Sequence, residues 1–185
     1  IIAGGRPDQA REMEASGIRT YLHVPSPVLL AQFVEQGSRS FIFEGRECGG
    51  HIGPLSSFVL WHVMTEALLA AKLAQEEAAK YQILFAGGVH DAASGAVAAV
   101  MATRLAEAGF QIGVLMGTGY IFTKEAVETG AITPAFQDVA VSARRTASLA
   151  TGPGHASRCV VTPFVDQFRS RRIEMEKAGA SPEDV

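Results

Sequence analysis

The sequence predicts an α/β fold built on a parallel sheet, and three observations carry that expectation. Short apolar runs recur along the chain, each followed by a loop of Gly, Pro or Ser and then by a segment of helical period, the alternation that βα units produce. The runs are brief and mostly rich in Ile, Val, Leu and Phe, as strands buried on both faces are. Three of them end in glycine-bearing loops: Cys48-Gly49-Gly50-His51, Ala86-Gly87-Gly88-Val89 and Met116-Gly117-Thr118-Gly119. Functional groups of a (β/α) barrel sit on loops after the strand C-termini. Glycine loops spread over several strands therefore fit a barrel mouth better than the single switch point of a doubly wound sheet. A Rossmann Gly-x-Gly-x-x-Gly spacing is absent after these strands, and so is a Walker sequence.

The strands fall at residues 1–3, 20–24, 40–43, 82–85 and 112–116. Between them the spacing predicts helices over 8–16, ending at Gly17, and over 27–36, with Pro27 in the first turn and Gly37 as the stop. A longer helix is expected over 57–79, with Leu60, Met64, Leu68 and Leu69 at helical spacing and a polar Gln75-Glu76-Glu77 end. Another spans 92–108, with Val97, Val100, Met101 and Leu105 on one face and Gly109 after it. Together these make four β-loop-α-β crossovers. Residues 163–179 predict a C-terminal amphipathic helix, with Phe164, Phe168 and Ile173 set against Arg169, Arg171, Arg172 and Lys177. The Pro- and acid-rich tail after it resembles a linker. The domain reading is barrel over 1–160, then helix and linker over 161–185.

Composition narrows the function. The chain has 185 residues, 48% hydrophobic and 19% charged, with net charge −3, which describes an ordinary globular protein able to bury a sizeable core. With no basic excess, no Lys/Arg run and few aromatics, nothing signals nucleic acid. No apolar run is long and clean enough to span a bilayer. Partners are expected to be small molecules or other proteins. Cys48 and Cys159 are too few for a disulfide framework and lack metal-ligand spacing, so a reducing, cytoplasmic setting is expected and no metal site is assigned. The chain opens abruptly on Ile1-Ile2-Ala3-Gly4-Gly5, without an initiator Met or signal-peptide pattern, and is expected to extend upstream.

The chemistry concentrates in the glycine loops. Residues 41–54 run from an apolar strand into a charged, Gly-rich loop in which His51 stands among Gly49, Gly50 and Gly53. Glycine admits close backbone approach to a ligand, and imidazole moves protons near neutral pH. Gly87 and Gly88 lie between a strand and a helix that starts near Asp91, so free amides and a helix N-terminus would face the mouth. Gly117 and Thr118 add amides and a hydroxyl. Two such loops in consecutive units suit one phosphate monoester.

Three motifs now carry a resemblance: Glu44-Gly45-Arg46-Glu47-Cys48-Gly49-Gly50-His51-Ile52-Gly53, Phe85-Ala86-Gly87-Gly88-Val89-His90-Asp91 and Gly113-Val114-Leu115-Met116-Gly117-Thr118. In order and spacing they resemble the nitronate monooxygenase (2-nitropropane dioxygenase) flavoproteins and their flavin-dependent enoyl reductase relatives, over roughly residues 1 to 130. The version within polyketide and polyunsaturated fatty acid synthases is the most similar, and there Glu125-Ala126 and Gly152-Pro153-Gly154-His155 join the match. The resemblance implies a TIM-type (β/α)8 barrel of which this chain holds about the C-terminal half. It implies non-covalent FMN, with the phosphate on the amides of Gly87, Gly88, Gly117 and Thr118. Gly49, Gly50 and Met116 would lie along the cofactor, and His51 would face its ring as the catalytic residue.

The same resemblance leaves three functions open. One is oxidation of alkyl nitronates with His51 as base. The second is reduction of an enoyl thioester by NADPH through FMN, with an acyl carrier protein as partner. The third is a non-catalytic flavin-binding or scaffold half-barrel. Around His51, Glu44 and Glu47 could tune its ionisation or bind the ribityl chain, or pair with Arg46; Cys48 reads as a packing residue. His23 could line the same mouth but reads first as a capped loop histidine at a strand end, His62 reads as a helix residue, and His90 could flank the phosphate or help begin a helix with Asp91. Arg144, Arg145 and Arg158 read as surface groups or as contacts to a carrier's phosphopantetheine.

Overall fold

The computed structural model describes residues 1–2, 4–152 and 154–181. In chain order the elements are α1 (Pro7–Ala15), β1 (Leu22–His23), α2 (Pro27–Glu35), β2 (Ser40–Glu44), β3 (Gly50–Ile52), α3 (Ser57–Ala70), α4 (Gln75–Ala78), β4 (Gln82–Ala86), α5 (Ala92–Glu107) and β5 (Gln111–Leu115). There follow a 3-10 turn (Thr118–Phe122), α6 (Lys124–Glu128), α7 (Pro134–Ser142), β6 (Thr146–Gly152), β7 (His155–Val160) and α8 (Pro163–Lys177).

The expected alternation is present. Strands β1, β2, β4 and β5 form a parallel sheet in that spatial order, with the register Phe41↔Ile83 and Phe85↔Val114 running through it. Ile2 adds a parallel bridge to Leu22, so helices α1, α2, α3 with α4, and α5 serve four successive crossovers. Of the expected strand at 1–3, only that bridge is described, and Ala3 and the tail from Pro182 lie outside the described residues. Among the described residues, no strand pairs with the outer edge of β5.

Local chemistry explains the helices. Ser26 accepts a hydrogen bond from the Leu29 amide with Pro27 at the first helical position, and Ser56 does the same for Val59, each hydroxyl answering an amide that the first turn leaves unpaired. The inward stripes bury Leu30 and Phe33 from α2, and Leu60, Trp61, Met64 and Leu68 from α3. They pack on Phe41, Phe43, Ile83 and Phe85, all fully buried. Phe85 takes Phe43 and Trp61 edge-on, with centroids 5.9 and 5.5 Å away. Each such aromatic contributes about 1.5–3 kcal/mol by burial, so this layer between sheet and helices is the main core. The Trp61 indole also donates to the carbonyls of Phe43 (2.9 Å) and Ala86 (3.2 Å), holding β2 and β4 together at their C-terminal ends.

Three expectations are corrected, and one unassigned segment gains a structure. The helix over 57–79 is two helices, because Lys72 turns left-handed at φ 46° and brings Leu73 and the fully buried Ala78 back onto the core. The buried face of α5 is Ala98, Ala102 and Leu105, while Val97 and Val100 are 50% and 74% exposed. Small side chains face inward on α5, the helix that packs beside α3. On α8 the inward residues are Val165 and Phe168, whereas Phe164 and Ile173 point to solvent. Finally, two runs unassigned by period, Thr146–Gly152 and His155–Val160, pair as β6 and β7, which with β3 make a second, antiparallel sheet in the order β3-β7-β6.

Candidate functional site

Strand periodicity divides the parallel sheet into two faces. Leu22, Phe41, Phe43, Ile83 and Phe85 join the helical layer, so His23, Ile42, Glu44, Leu84 and Ala86 point to the opposite, inner face. His23 is in register with Ile42, which puts Glu44 on the same face one step further towards the strand C-terminus. The two pair across the strands, His23 Nδ1 to Glu44 Oε2 at 2.9 Å.

From Glu44 the chain makes a tight turn into β3. Its tightness comes from close approach: a Cβ on Gly45 would overlap the Ser57 backbone, and one on Gly87, at φ 96°, would lie 2.8 Å from Gly45. Ser57 is the knot. Its hydroxyl stands between two acceptors that share its one proton, Glu47 Oε2 at 2.6 Å and the carbonyl of Gly87 at 2.7 Å, and its amide donates to the same Glu47 oxygen at 2.6 Å. Burial pushes Glu47 up, but these Ser57 contacts, with help from the charge of Arg158, outweigh it and hold the carboxyl below its ordinary range. The expected Glu47–Arg46 pair is not what forms: Arg46 contributes its backbone, donating to Leu55 O and accepting from Arg158 Nε at 2.8 Å. Arg158 also donates to Thr146 Oγ1, which ties the hairpin to the β2–β3 turn.

His51 sits within a strand rather than on a free loop. It stands opposite Ser157 in the antiparallel ladder, and its side chain is exposed while that of Ile52 is buried. Cys48, buried beneath, contacts the His51 carbonyl at 3.3 Å. Burial first, and then the neighbouring Glu44 carboxylate, push the Cys48 thiol up to about 12, so it is a neutral packing group at physiological pH.

The three glycine loops meet. A Cβ on Gly49 would stand 3.2 Å from Thr118 Oγ1, one on Gly88 3.2 Å from Glu47, and one on Gly119 3.9 Å from His90. Gly117 faces open space, with nothing within 4 Å of where its Cβ would be, and Met116 folds back over Gly119. Among the described residues, no backbone carbonyl takes the amides of Gly87, Gly88, Gly117 or Thr118. These donors and the open space beside Gly117 suit a phosphate ester such as the FMN terminus.

One expected donor drops out. The start of α5 is closed by its own capping box: Ser94 Oγ accepts from the amides of His90 and Asp91, and Asp91 accepts from Ser94. The Asp91 carboxyl, held low chiefly by the Ser94 hydroxyl, adds negative charge there, so that helix end does not offer itself to an anion. The His90 ring lies against the same loop, its Nδ1 2.7 Å from the Gly88 carbonyl. A cleft of about 570 Å³ lies elsewhere, lined by Val139, Arg144, Arg145, Val161 and Pro163 among others, and no residue of the glycine loops borders it.

The arrangement has solved counterparts. FabK from Thermotoga maritima and a point variant of it match 98% of this chain at 23% identity, with TM-scores of 0.67 and 0.69. The chain has the α/β fold, with its parallel sheet, of part of FabK. It spans 57% and 55% of the two FabK chains, little more than half their length. No protein-family profile and no curated protein matches the sequence.

Two groups escaped the sequence. Ser57 gave a signal as the second serine after Pro54, but only the fold shows that it joins Glu47 to Gly87. The signal for the hairpin was Gly152-Pro153-Gly154, a turn-type sequence between two short runs without helical period.

Proposed function

We propose that this chain supplies the C-terminal part of the barrel of an FMN-dependent oxidoreductase that reduces an enoyl thioester. The observation that carries the reading is the meeting of three glycine loops at the C-terminal ends of β2, β4 and β5, with four amides that no backbone carbonyl among the described residues takes and open space beside Gly117. FabK, whose fold this chain shares in part, is a flavin-dependent enoyl-acyl-carrier-protein reductase, and that favours the reductase over nitronate oxidation.

The residues divide the work. The amides of Gly87, Gly88, Gly117 and Thr118 would hold the phosphate. Gly49, Gly50 and Met116 would border the rest of the cofactor, the glycines offering backbone without side-chain bulk. Bound FMN would supply hydride transfer from NADPH, which no side chain can do. His51, exposed on a strand fixed on one edge by β7, would donate a proton to the acyl chain or a hydrogen bond to the thioester carbonyl. An acyl carrier protein is the expected donor of the substrate.

Flavin uptake and reduction by the full-length protein test this reading. A yellow protein that NADPH bleaches anaerobically, and that then turns over a crotonyl thioester, is the expected result. Bleaching by an alkyl nitronate with no response to NADPH would sink the reductase in favour of the monooxygenase. A colourless protein that takes up no FMN would defeat both and leave a scaffold half-barrel.

A further inference from the structure

Beneath β3 lies a polar group that the proposed chemistry leaves unexplained. His23 ends β1 and Glu44 ends β2, on the inner face of the sheet, each with a side chain 23% exposed. With Nδ1 committed to the carboxylate, Nε2 of His23 is buried and meets no partner among the described residues. An orphaned buried nitrogen is costly, and an apolar side chain would avoid the cost; the contact that the ring does make, to Glu44, is what accounts for an imidazole here. Glu44 in turn neighbours the buried Cys48, whose sulfur touches the carbonyl of His51. At its far end β3 comes against the β1–α2 loop, where a Cβ on Gly53 would stand 3.6 Å from Pro25.

We propose that His23 and Glu44 are positioning residues for His51: the pair fixes Glu44, Glu44 fixes Cys48, and Cys48 holds the backbone of the strand that presents the His51 ring. The other edge of the same strand is held by β7 in the register His51↔Ser157. Clamped from beneath and from one side, the backbone that carries the ring is held at a set place, as that of an acid/base group must be. The inference rests on reading His51 as that group, but the clamp itself is a statement about geometry.

The test uses full-length protein loaded with FMN, and the same protein without it. His23→Leu removes the donor to Glu44, and His23→Asn restores an N–H close to where Nδ1 stood. In samples labelled with ¹⁵N-histidine, the ring resonances of His51 are expected to shift in His23→Leu and return in His23→Asn, while those of the exposed His62 stay in place. In turnover, His23→Leu is expected to lower kcat about tenfold with KM little changed, and His23→Asn to recover most of it. Cys48→Ala, which cuts the last link, is expected to move the His51 resonances as well, and carries the test if His23→Leu does not fold. Folded variants at both positions that leave the His51 resonances unmoved would overturn the proposal. If those resonances move but His51→Ala keeps its kcat, the clamp stands and the catalytic reading of His51 fails instead.

Discussion

At Cys48 a single side chain ties ionisation to stability. Its folded pKa of about 12 lies above the ordinary thiol value of about 8.5. The folded state therefore favours the neutral thiol, and the stability this contributes is complete below about pH 8.5 and is lost as pH rises towards 12. Urea titrations across that range are expected to show a shallower alkaline decline for Cys48→Ala than for the parent protein. Tyr81, raised mainly by burial, adds to the same alkaline slope in both. Glu47 works in the opposite direction. Its carboxyl is depressed, so its contribution is present above the unfolded value of about 4.3 and is lost as pH falls through the folded one. Ser57→Ala removes the one hydroxyl that Glu47 and the Gly87 carbonyl share, and is expected to cost about 1–3 kcal/mol at neutral pH. Because the depression of Glu47 shrinks with it, the variant should lose less on acidification below pH 4 than the parent does. The residues of this knot were visible in the sequence as types, but their partners were not: Glu47 lies ten residues from Ser57 and Ser57 thirty from Gly87.

Among elements, the strands and helices that alternate were readable because burial on both faces of a strand leaves a continuous apolar run, and caps such as Ser26-Pro27 mark a helix start. The faces of α5 and α8 were less so. Hydrophobicity alone points to Val97 and Val100, yet α5 turns Ala98 and Ala102 inward, a preference for fit that no transfer scale contains. Trp61 is the clearest load on an element, since its indole serves carbonyls of both β2 and β4. Trp61→Phe keeps the ring packing but leaves two carbonyls without their donor, and is expected to lower stability by about 1–3 kcal/mol in chemical denaturation. Gly117→Ala separates fold from function. Nothing occupies the space of its Cβ and its φ is −98°, so stability should stay within about 0.5 kcal/mol. A methyl group in the proposed phosphate space should nevertheless weaken FMN binding at least tenfold, read by quenching of flavin fluorescence in the full-length protein.

The described residues form a four-stranded parallel sheet, with a small antiparallel sheet attached through the turn that follows β2. In β2, residues 41–43 are fully buried, whereas β5 exposes Gln111 and Val114 and, among the described residues, has a partner on one edge only. Hydrogen exchange on this chain is expected to protect the amides of β2 and β4 longest and those on the outer edge of β5 far less. Equal protection across all four strands would mean that another chain covers that edge in solution, and the mass of the particle would show it. The sequence by itself determined the βα order, the parallel connectivity and the three glycine loops, because these follow from local periodicity and from where glycine stands. Only the tertiary structure decided that Ser57 locks two of those loops together, that α5 caps its own N-terminus rather than offering it, that His51 lies in a strand, and that His23 reaches Glu44. Each of these is a contact between residues distant in the chain or a competition for one amide, and local sequence carries no record of which partner wins.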